Sequence, residues 1–384
     1  MTNNSVRLFI GQLVSQTCDK MMSVGLVWMF TEQYPTWVIP AFLGVSALPH
    51  LLLAWSAGRW TSRLGTVRTL VSTDAFRGGV FTLLALAWSR IAWPAAVLFG
   101  VSLVANLASA LFNPAVMSAP VALVEAGQVQ RLTALLESCF SIGTVVGPLI
   151  AALLYPHVGL AGLFLFNGLS YLGAALMESG LHPTSDTTDQ PTLRSPREVL
   201  AADGVVAVLL AGFLASNLFL TPMTVIMPLY ARGVFHGTIS TLAVLEMCFG
   251  GGTIVGGLSM AARHVSKIGR QITFGMIWVA LAWLGFTASP ALGIGAICLA
   301  FLGYFLSTTN VLSMTVFQQR LPAPDVPTLM SLVNLISVAC LPLSMLVMGA
   351  LAPHFDIRTL ALGCALGLLI ATGGVVARRD VRVL

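Results

Sequence analysis

Charge is what this chain has least of. Of its 384 residues only 9% are Asp, Glu, Lys or Arg, against about 25% in an ordinary soluble domain. So few charges cannot clothe a water-facing surface, and with 57% hydrophobic residues the soluble and the disordered classes are both excluded. The 36 glycines follow no every-third-residue repeat, which excludes collagen. The six cysteines, Cys18, Cys139, Cys248, Cys298, Cys340 and Cys364, each fall in a different apolar run without CxxC spacing. They read as small buried hydrophobes and not as a disulfide frame. HExxH, GxSxG and GxxxxGK[ST] are all missing, so metalloprotease, serine hydrolase and ATP-driven pump lack their chemistry and no cofactor is expected. The net charge of +5 comes without a cluster of Lys and Arg interleaved with aromatics, so nucleic acid is not an expected partner.

What the chain has in quantity is apolar runs long enough to cross a bilayer, which takes about 20 residues each. They fall at roughly 6–30, 37–57, 69–88, 92–114, 131–154 and 159–177, then at 204–228, 239–261, 271–288, 291–313, 328–351 and 358–377. Twelve spans follow, six in each half. The first has no Ala-x-Ala cleavage pattern and is expected to be kept as a span. Between the halves lies Glu178 to Ala202, with the polar stretch His182 to Pro191. The expected organisation is therefore a six-helix bundle over 1–180, a cytosolic linker over 181–201 and a second six-helix bundle over 202–384. With the N-terminus inside, fourteen of the nineteen basic residues fall on the cytosolic side, as the positive-inside rule requires. An even number of spans also puts both termini there.

The two halves echo each other. Gly58-Arg-Trp-Thr-Ser-Arg63-Leu-Gly65-Thr-Val-Arg68 follows the second span, and a similar stretch from Gly257 to Arg270 follows the eighth. An internal repeat of a six-helix unit is the mark of a secondary transporter, with the substrate path between the halves.

At these residues the chain resembles the major facilitator superfamily. The Gly58 to Arg68 stretch resembles that superfamily's loop between helices 2 and 3, and Gly143-Thr-Val-Val-Gly147-Pro148 looks like the GxxxGP motif frequent in its exporters. Asp74-Ala-Phe-Arg77-Gly78 and Phe112-Asn-Pro-Ala115 resemble the branch that contains enterobactin exporters and macrolide efflux proteins. The resemblance implies an all-α integral membrane protein with twelve transmembrane helices in two pseudo-symmetric six-helix bundles, the major facilitator fold. It also implies transport of a small-molecule substrate by alternating access, with export driven by protons. Two departures stand beside it: Ser62 occupies a loop position that usually holds Asp, and helix 4 carries no Arg, unlike proton-coupled drug antiporters.

In that fold helices 1, 4, 7 and 10 line the central cavity, so each should carry a polar stripe at helical spacing. Helix 1 offers Gln12, Gln16, Asp19 and Ser23, and helix 4 offers Ser102, Asn106, Ser109 and Asn113. Helix 7 offers Asn217, Thr221 and Thr224, and helix 10 offers Tyr304, Ser307 and Thr308. The bland alternative is hydrogen bonding between helices, worth about 0.6 kcal/mol per contact in membranes.

Six ionisable residues are read inside the spans: Asp19, Lys20, Asp74, Arg77, Glu137 and Glu246. A charge in hydrocarbon is costly, so each is a functional candidate. Asp74 and Arg77 stand at i and i+3 and are expected to pair as a gate brace or structural pair, together with Arg63 of the loop and the mechanical residues Gly143, Gly147 and Pro148. Asp19, Lys20, Glu137 and Glu246, with His50 after Pro49, are the candidates for binding substrate or a proton. Met223 and Met227, at i and i+4, are a minor candidate for a soft metal such as Cu(I), but no MxM or Met/His cluster supports them. The expected protein is a functional monomer in the cell inner membrane exporting a siderophore or drug-like molecule. The alternatives are an uptake carrier, a lipid flippase, a copper transporter and a non-transporting sensor.

Overall fold

The computed structural model describes residues 3–53, 56–182, 203–261, 267–320, 326–378 and 380. Among them there is no strand. The helices are α1 (Asn3–Gln33), α2 (Val38–Leu53), α3 (Ala57–Leu64), α4 (Thr66–Ala87), α5 (Pro94–Leu123) and α6 (Ala126–Glu178). They continue with α7 (Gly204–Leu220), α8 (Met223–Gly233), α9 (Ile239–Ala261), α10 (Ile268–Thr287), α11 (Leu292–Arg320), α12 (Val326–Leu351) and α13 (Ile357–Val376). The chain divides into two compact units, one of Met1–Tyr34 with Val45–Asp189, the other of Pro35–Gly44 with Gln190–Leu384. The linker read at 181–201 lies, from residue 183 onward, outside the described residues.

Eight segments of the described chain are long and apolar enough to cross a membrane. One of them, Arg131–Glu178, runs for 48 residues, about 72 Å at helical rise and twice what a bilayer core needs. Gly159 divides it: its φ of 60° and ψ of −167° are open to glycine alone, so two spans follow one another through a single kinked element. Gly204–Gly233 is likewise one 30-residue crossing made of α7 and α8, interrupted where Pro222 caps the second helix. Helix α1 is long but carries Gln12, Gln16, Asp19 and Lys20, which keep it below that apolar standard; α2, at 16 residues with Pro49 inside, is short. The loop after α2 is itself helical. α3 ends at Gly65, whose φ of 86° turns the chain into α4, and Thr61 Oγ1 bonds the Leu111 carbonyl of α5 at 3.3 Å.

Large apolar side chains such as Leu83, Leu86, Leu153 and Ile370 stand exposed, as lipid-facing residues must. Because lipid tails are as apolar as leucine, the helices gain by close packing of small residues instead of by hiding grease. In the first unit, a Cβ at Gly147 of α6 would stand 2.6 Å from Lys20 Cβ and 3.0 Å from the Met21 nitrogen, and one at Gly143 would stand 3.2 Å from the Gln16 carbonyl. The GxxxGP motif is thus the surface on which α6 meets α1. Gly78 of α4 and Gly168 of α6 meet in the same way, a Cβ at Gly78 lying 2.9 Å from the Gly168 carbonyl oxygen. The second unit joins α9 to α11 through Gly256 and Gly303, where an added Cβ would stand 2.5 Å from the Tyr304 oxygen and 3.0 Å from the Thr253 nitrogen respectively.

Helix ends are tied within each unit. Arg7 Nη1 donates to the Gly180 carbonyl at 3.0 Å, linking the start of α1 to the chain just past α6. In the other unit Asp203 caps α7, accepting from the amides of Val205 at 2.8 Å and Val206 at 3.4 Å, and its second oxygen accepts from Arg320 Nε at the end of α11 at 2.6 Å. An acid at a helix N-terminus and a base in a last turn both suit the helix dipoles.

Adjacent glycines give a test of the packing. Gly78→Ala is expected to lower the melting temperature in detergent, because overpacking costs about 1–3 kcal/mol. Gly79→Ala, with nothing within 4 Å of an added Cβ, is expected to be neutral or to gain up to about 1 kcal/mol of helix propensity. Asp203 gives a second test. Partial burial pushes its carboxyl up, but Arg320 and the two amides outweigh that and hold it below the usual carboxylate range. A depressed carboxylate stabilises the fold above the unfolded value, near ~3.9, and loses that contribution as pH falls through the folded value. Asp203→Asn should therefore melt below the parent at pH 7, and the gap should close on acidification below about pH 4.

Candidate functional site

The first unit holds a polar interior built by four helices. Asp74 lies about two turns into α4, fully buried, and Arg77 follows one turn later at 5% exposure. Arg77 Nη2 donates to Asp74 Oδ1. Its other terminal nitrogen, Nη1, donates to Ser109 Oγ of α5 at 3.1 Å and to the Tyr171 hydroxyl of α6 at 3.4 Å. The guanidinium carbon lies over both the Phe112 and Tyr171 rings, 4.3 and 4.2 Å from their centroids, a setting that suits a planar, weakly hydrated cation. The Tyr171 hydroxyl passes the chain on by donating to Asp19 Oδ1 of α1 at 2.8 Å. One cation thus holds Asp74 directly and Asp19 through a phenol.

Helices α1 and α6 run antiparallel, and their polar residues keep register. Gln12 Nε2 donates to Glu178 Oε1 at 3.0 Å. Seven residues on along α1 and seven back along α6 come Asp19 and Tyr171, about 10 Å away. Asn167 Nδ2 and Met22 Sδ, at 3.1 Å, form a third rung. Beside the first rung the backbones close up, with a Cβ at Gly11 standing 3.4 Å from Ala174 Cα. A seven-residue step returns to the same helix face, which is why both rungs form together.

The remaining sequence candidates are dispersed. Gln16 backs onto Gly143, and Ser23 and Asn113 are exposed. Ser102 Oγ meets Ser46 Oγ at 2.5 Å and accepts from Asn106 Nδ2 at 3.2 Å. Lys20 Nζ lies 5.0 Å from the Phe140 centroid. His50 is half-buried, and its Nδ1 has no hydrogen-bond partner among the described residues. Glu137 is exposed, and Arg63 is exposed in the last turn of α3.

In the second unit Glu246 is half-buried in α9. Asn217, Thr221 and Thr308 satisfy themselves on carbonyls of their own helices at 2.9, 2.6 and 3.0 Å, and exposed Thr224 bonds the Thr221 carbonyl at 2.9 Å. Tyr304 accepts from Ser259 at 3.3 Å, while Ser307 lies against Gly256 and Gly257. Met223 and Met227 are buried side chains of α8.

Two members of the network escape the sequence reading. Glu178, which sequence places at the start of the polar linker, is the last residue of α6 and fully buried. Tyr171 reads as one more aromatic in a greasy run. The signal that finds both is their seven-residue spacing, matched to that of Gln12 and Asp19. The fourth span of the sequence, here α5, has no Arg of its own, and the guanidinium of Arg77 reaches Ser109 on it from α4.

Membrane helices with a buried ion network inside one of the two units suit a transporter, and residues 8–337 match the model of the Major Facilitator Superfamily. The chain belongs to that superfamily: it is a multi-pass membrane transporter, not an enzyme. It is similar to Macrolide efflux protein A of Streptococcus pyogenes, 21% identical over 369 residues covering 91% of this chain and 90% of the relative. The protein of the same name from Enterococcus faecalis is 22% identical over 315 residues, covering 78% and 96%. Among solved structures, a bacterial homologue of the iron transporter ferroportin in an inward-facing state superposes with a TM-score of 0.71 at 14% identity, covering 97% of this chain and 98% of that one. A bacterial homologue of the lysosomal transporter Spinster gives 0.70 at 14% identity, over 100% and 98%. At such identities these two likenesses establish the fold alone.

Arg77 is the residue on which the network turns. Arg77→Met is expected to destabilise the protein by about 3–5 kcal/mol, since it strands a buried carboxylate. Adding Asp74→Asn in the same chain should recover part of that loss, and a double-mutant cycle on melting in detergent measures the coupling.

Proposed function

We propose that this transporter exports a small amphipathic organic molecule from the cytosol in exchange for protons. Alternating access would come from rocking of residues 1–180 against 202–384, in the inner membrane with both termini cytosolic. The observation that carries the proton is the network of Asp19, Tyr171, Arg77 and Asp74, which places two carboxylates and one guanidinium in hydrocarbon. Membrane proteins keep so costly an arrangement where charge is moved. Asp19 is the exchanging group on this reading, because it is half-buried and its contact with the cation runs through a phenol. Gaining a proton there weakens the hold of Tyr171 and loosens α1 from α6.

Export and a drug-like cargo are supported by the similarity to macrolide efflux proteins and by the GxxxGP surface between α1 and α6. A macrolide with an amino sugar is an amphipathic cation, and suits a transporter with acids in its first unit better than a siderophore, whose free form carries acidic groups.

The test uses labelled erythromycin and proteoliposomes with an acid-inside pH gradient. Above the passive trapping of this weak base in protein-free liposomes, the parent should accumulate erythromycin faster with the gradient than without, and Asp19→Asn should lose that excess while remaining folded. Full stimulation in the variant would remove Asp19 from coupling, and an unstimulated parent would remove the proton.

A further inference from the structure

Glu178 is the last residue of α6, on the side that the proposed orientation makes cytosolic, and is fully buried, with Oε1 bonded to Gln12 and Oε2 without a hydrogen-bond partner among the described residues. Asp74 is equally buried, and its Oδ2 is also unpartnered. The charges of Asp74 and Arg77 act on Glu178, and that of Asp19 acts on Asp74. The groups that face Glu178 can be named element by element. α4 supplies Asp74 and Arg77. α1 supplies Gln12, while its Arg7 is engaged by the Gly180 carbonyl. α5 carries no titratable residue at all.

Three carboxylates therefore share one guanidinium. Were all three ionised, the interior would carry uncompensated negative charge in a medium where each such charge costs several kcal/mol. Arg77 already serves Asp74 directly and Asp19 through Tyr171. Glu178 has only a neutral amide, the weakest support of the three.

We propose that Glu178 is a second proton-binding site, loaded when Arg77 is paired with Asp74 and emptied toward the cytosol when Asp74 itself takes a proton. The step balances: a hydronium entering from the far side of the membrane gives up its proton to form an O–H bond on Asp74, the Asp74–Arg77 ion pair breaks so that Arg77 can stabilise an ionised Glu178, and the Glu178 O–H bond breaks to give its proton to water on the near side. One proton enters and one leaves, with no change in the charge of the interior. The exit lies close by, since Ser179 is exposed. This inference rests on the proton-coupled reading for its transport consequence but not for the presence of the proton.

Two measurements test it. In the infrared spectrum of the protein in lipid at pH 7, the parent should show a protonated-carboxyl absorption that Glu178→Gln removes; an unchanged absorption overturns the site. In the erythromycin assay, Glu178→Gln should cut gradient-driven accumulation about a hundredfold, whereas Glu178→Asp, which keeps a titratable group, should restore much of it. A purely structural role would be met by Gln, which keeps the shape and can still pair with Gln12, so parent-like transport in Glu178→Gln also overturns the proposal. The infrared measurement needs no transport. A lost band together with gradient-insensitive transport in the parent would overturn proton coupling and leave the site standing.

Discussion

A single guanidinium, that of Arg77, joins α4 to α5 and α6 and, through the Tyr171 hydroxyl, to α1. In water such a set of contacts would be worth little, because each partner could be hydrated instead. In hydrocarbon there is no water to take over, so the donors of Arg77 and the oxygens of Asp74 and Asp19 must find one another. The apolar packing follows from this. Gly78, one residue beyond Arg77, and Gly168, three residues before Tyr171, let α4 and α6 approach closely enough for the guanidinium to reach the phenol.

The two units handle polarity differently. In the first, polar side chains bond across helices, over separations of 152 and 166 residues along the chain for the two rungs between α1 and α6. In the second, Asn217, Thr221, Thr253 and Thr308 return their hydrogen bonds to carbonyls three or four residues back. A hydroxyl satisfied in that way still offers lone pairs and puts no constraint on a neighbouring helix. The first unit is thus tied by a charged network in its interior, while the interior ties of the second, such as Ser344 to the Leu218 carbonyl and Ser259 to the Tyr304 hydroxyl, are neutral and its Asp203–Arg320 pair sits at helix ends.

Much of this is legible in the sequence, for identifiable reasons. Long apolar runs give the helices, because hydrocarbon leaves the backbone no alternative. The pairing of Asp74 with Arg77 follows from their spacing on one helix, and the close-packing role of Gly143 and Gly147 from their lack of side chains. What the sequence hides is which face meets which helix. Gln12 belongs to a stripe that reads as cavity lining, yet it is 2% exposed and spent on Glu178. Glu178 is hidden for a related reason: hydropathy assigns a carboxylate beside a polar stretch to that stretch, and only its tertiary partner shows that it belongs to the helix. Gly159 is hidden too, since the kink separating two spans depends on a backbone angle that apolar character does not report.

The distance between rung partners along the chain also has a consequence for synthesis. Gln12 and Asp19 leave the ribosome 166 and 152 residues before Glu178 and Tyr171, which at translation rates of 5–20 residues per second is about 8–30 s. For that interval two of the first helix's polar groups, Gln12 and Asp19, have no α6 partner to receive them. The helix must wait at the insertion machinery, in the headgroup region or against a chaperone. The first unit therefore matures as a whole when its last helix arrives, and a ribosome stalled between residues 20 and 170 would leave a segment the bilayer accepts poorly and quality control can recognise.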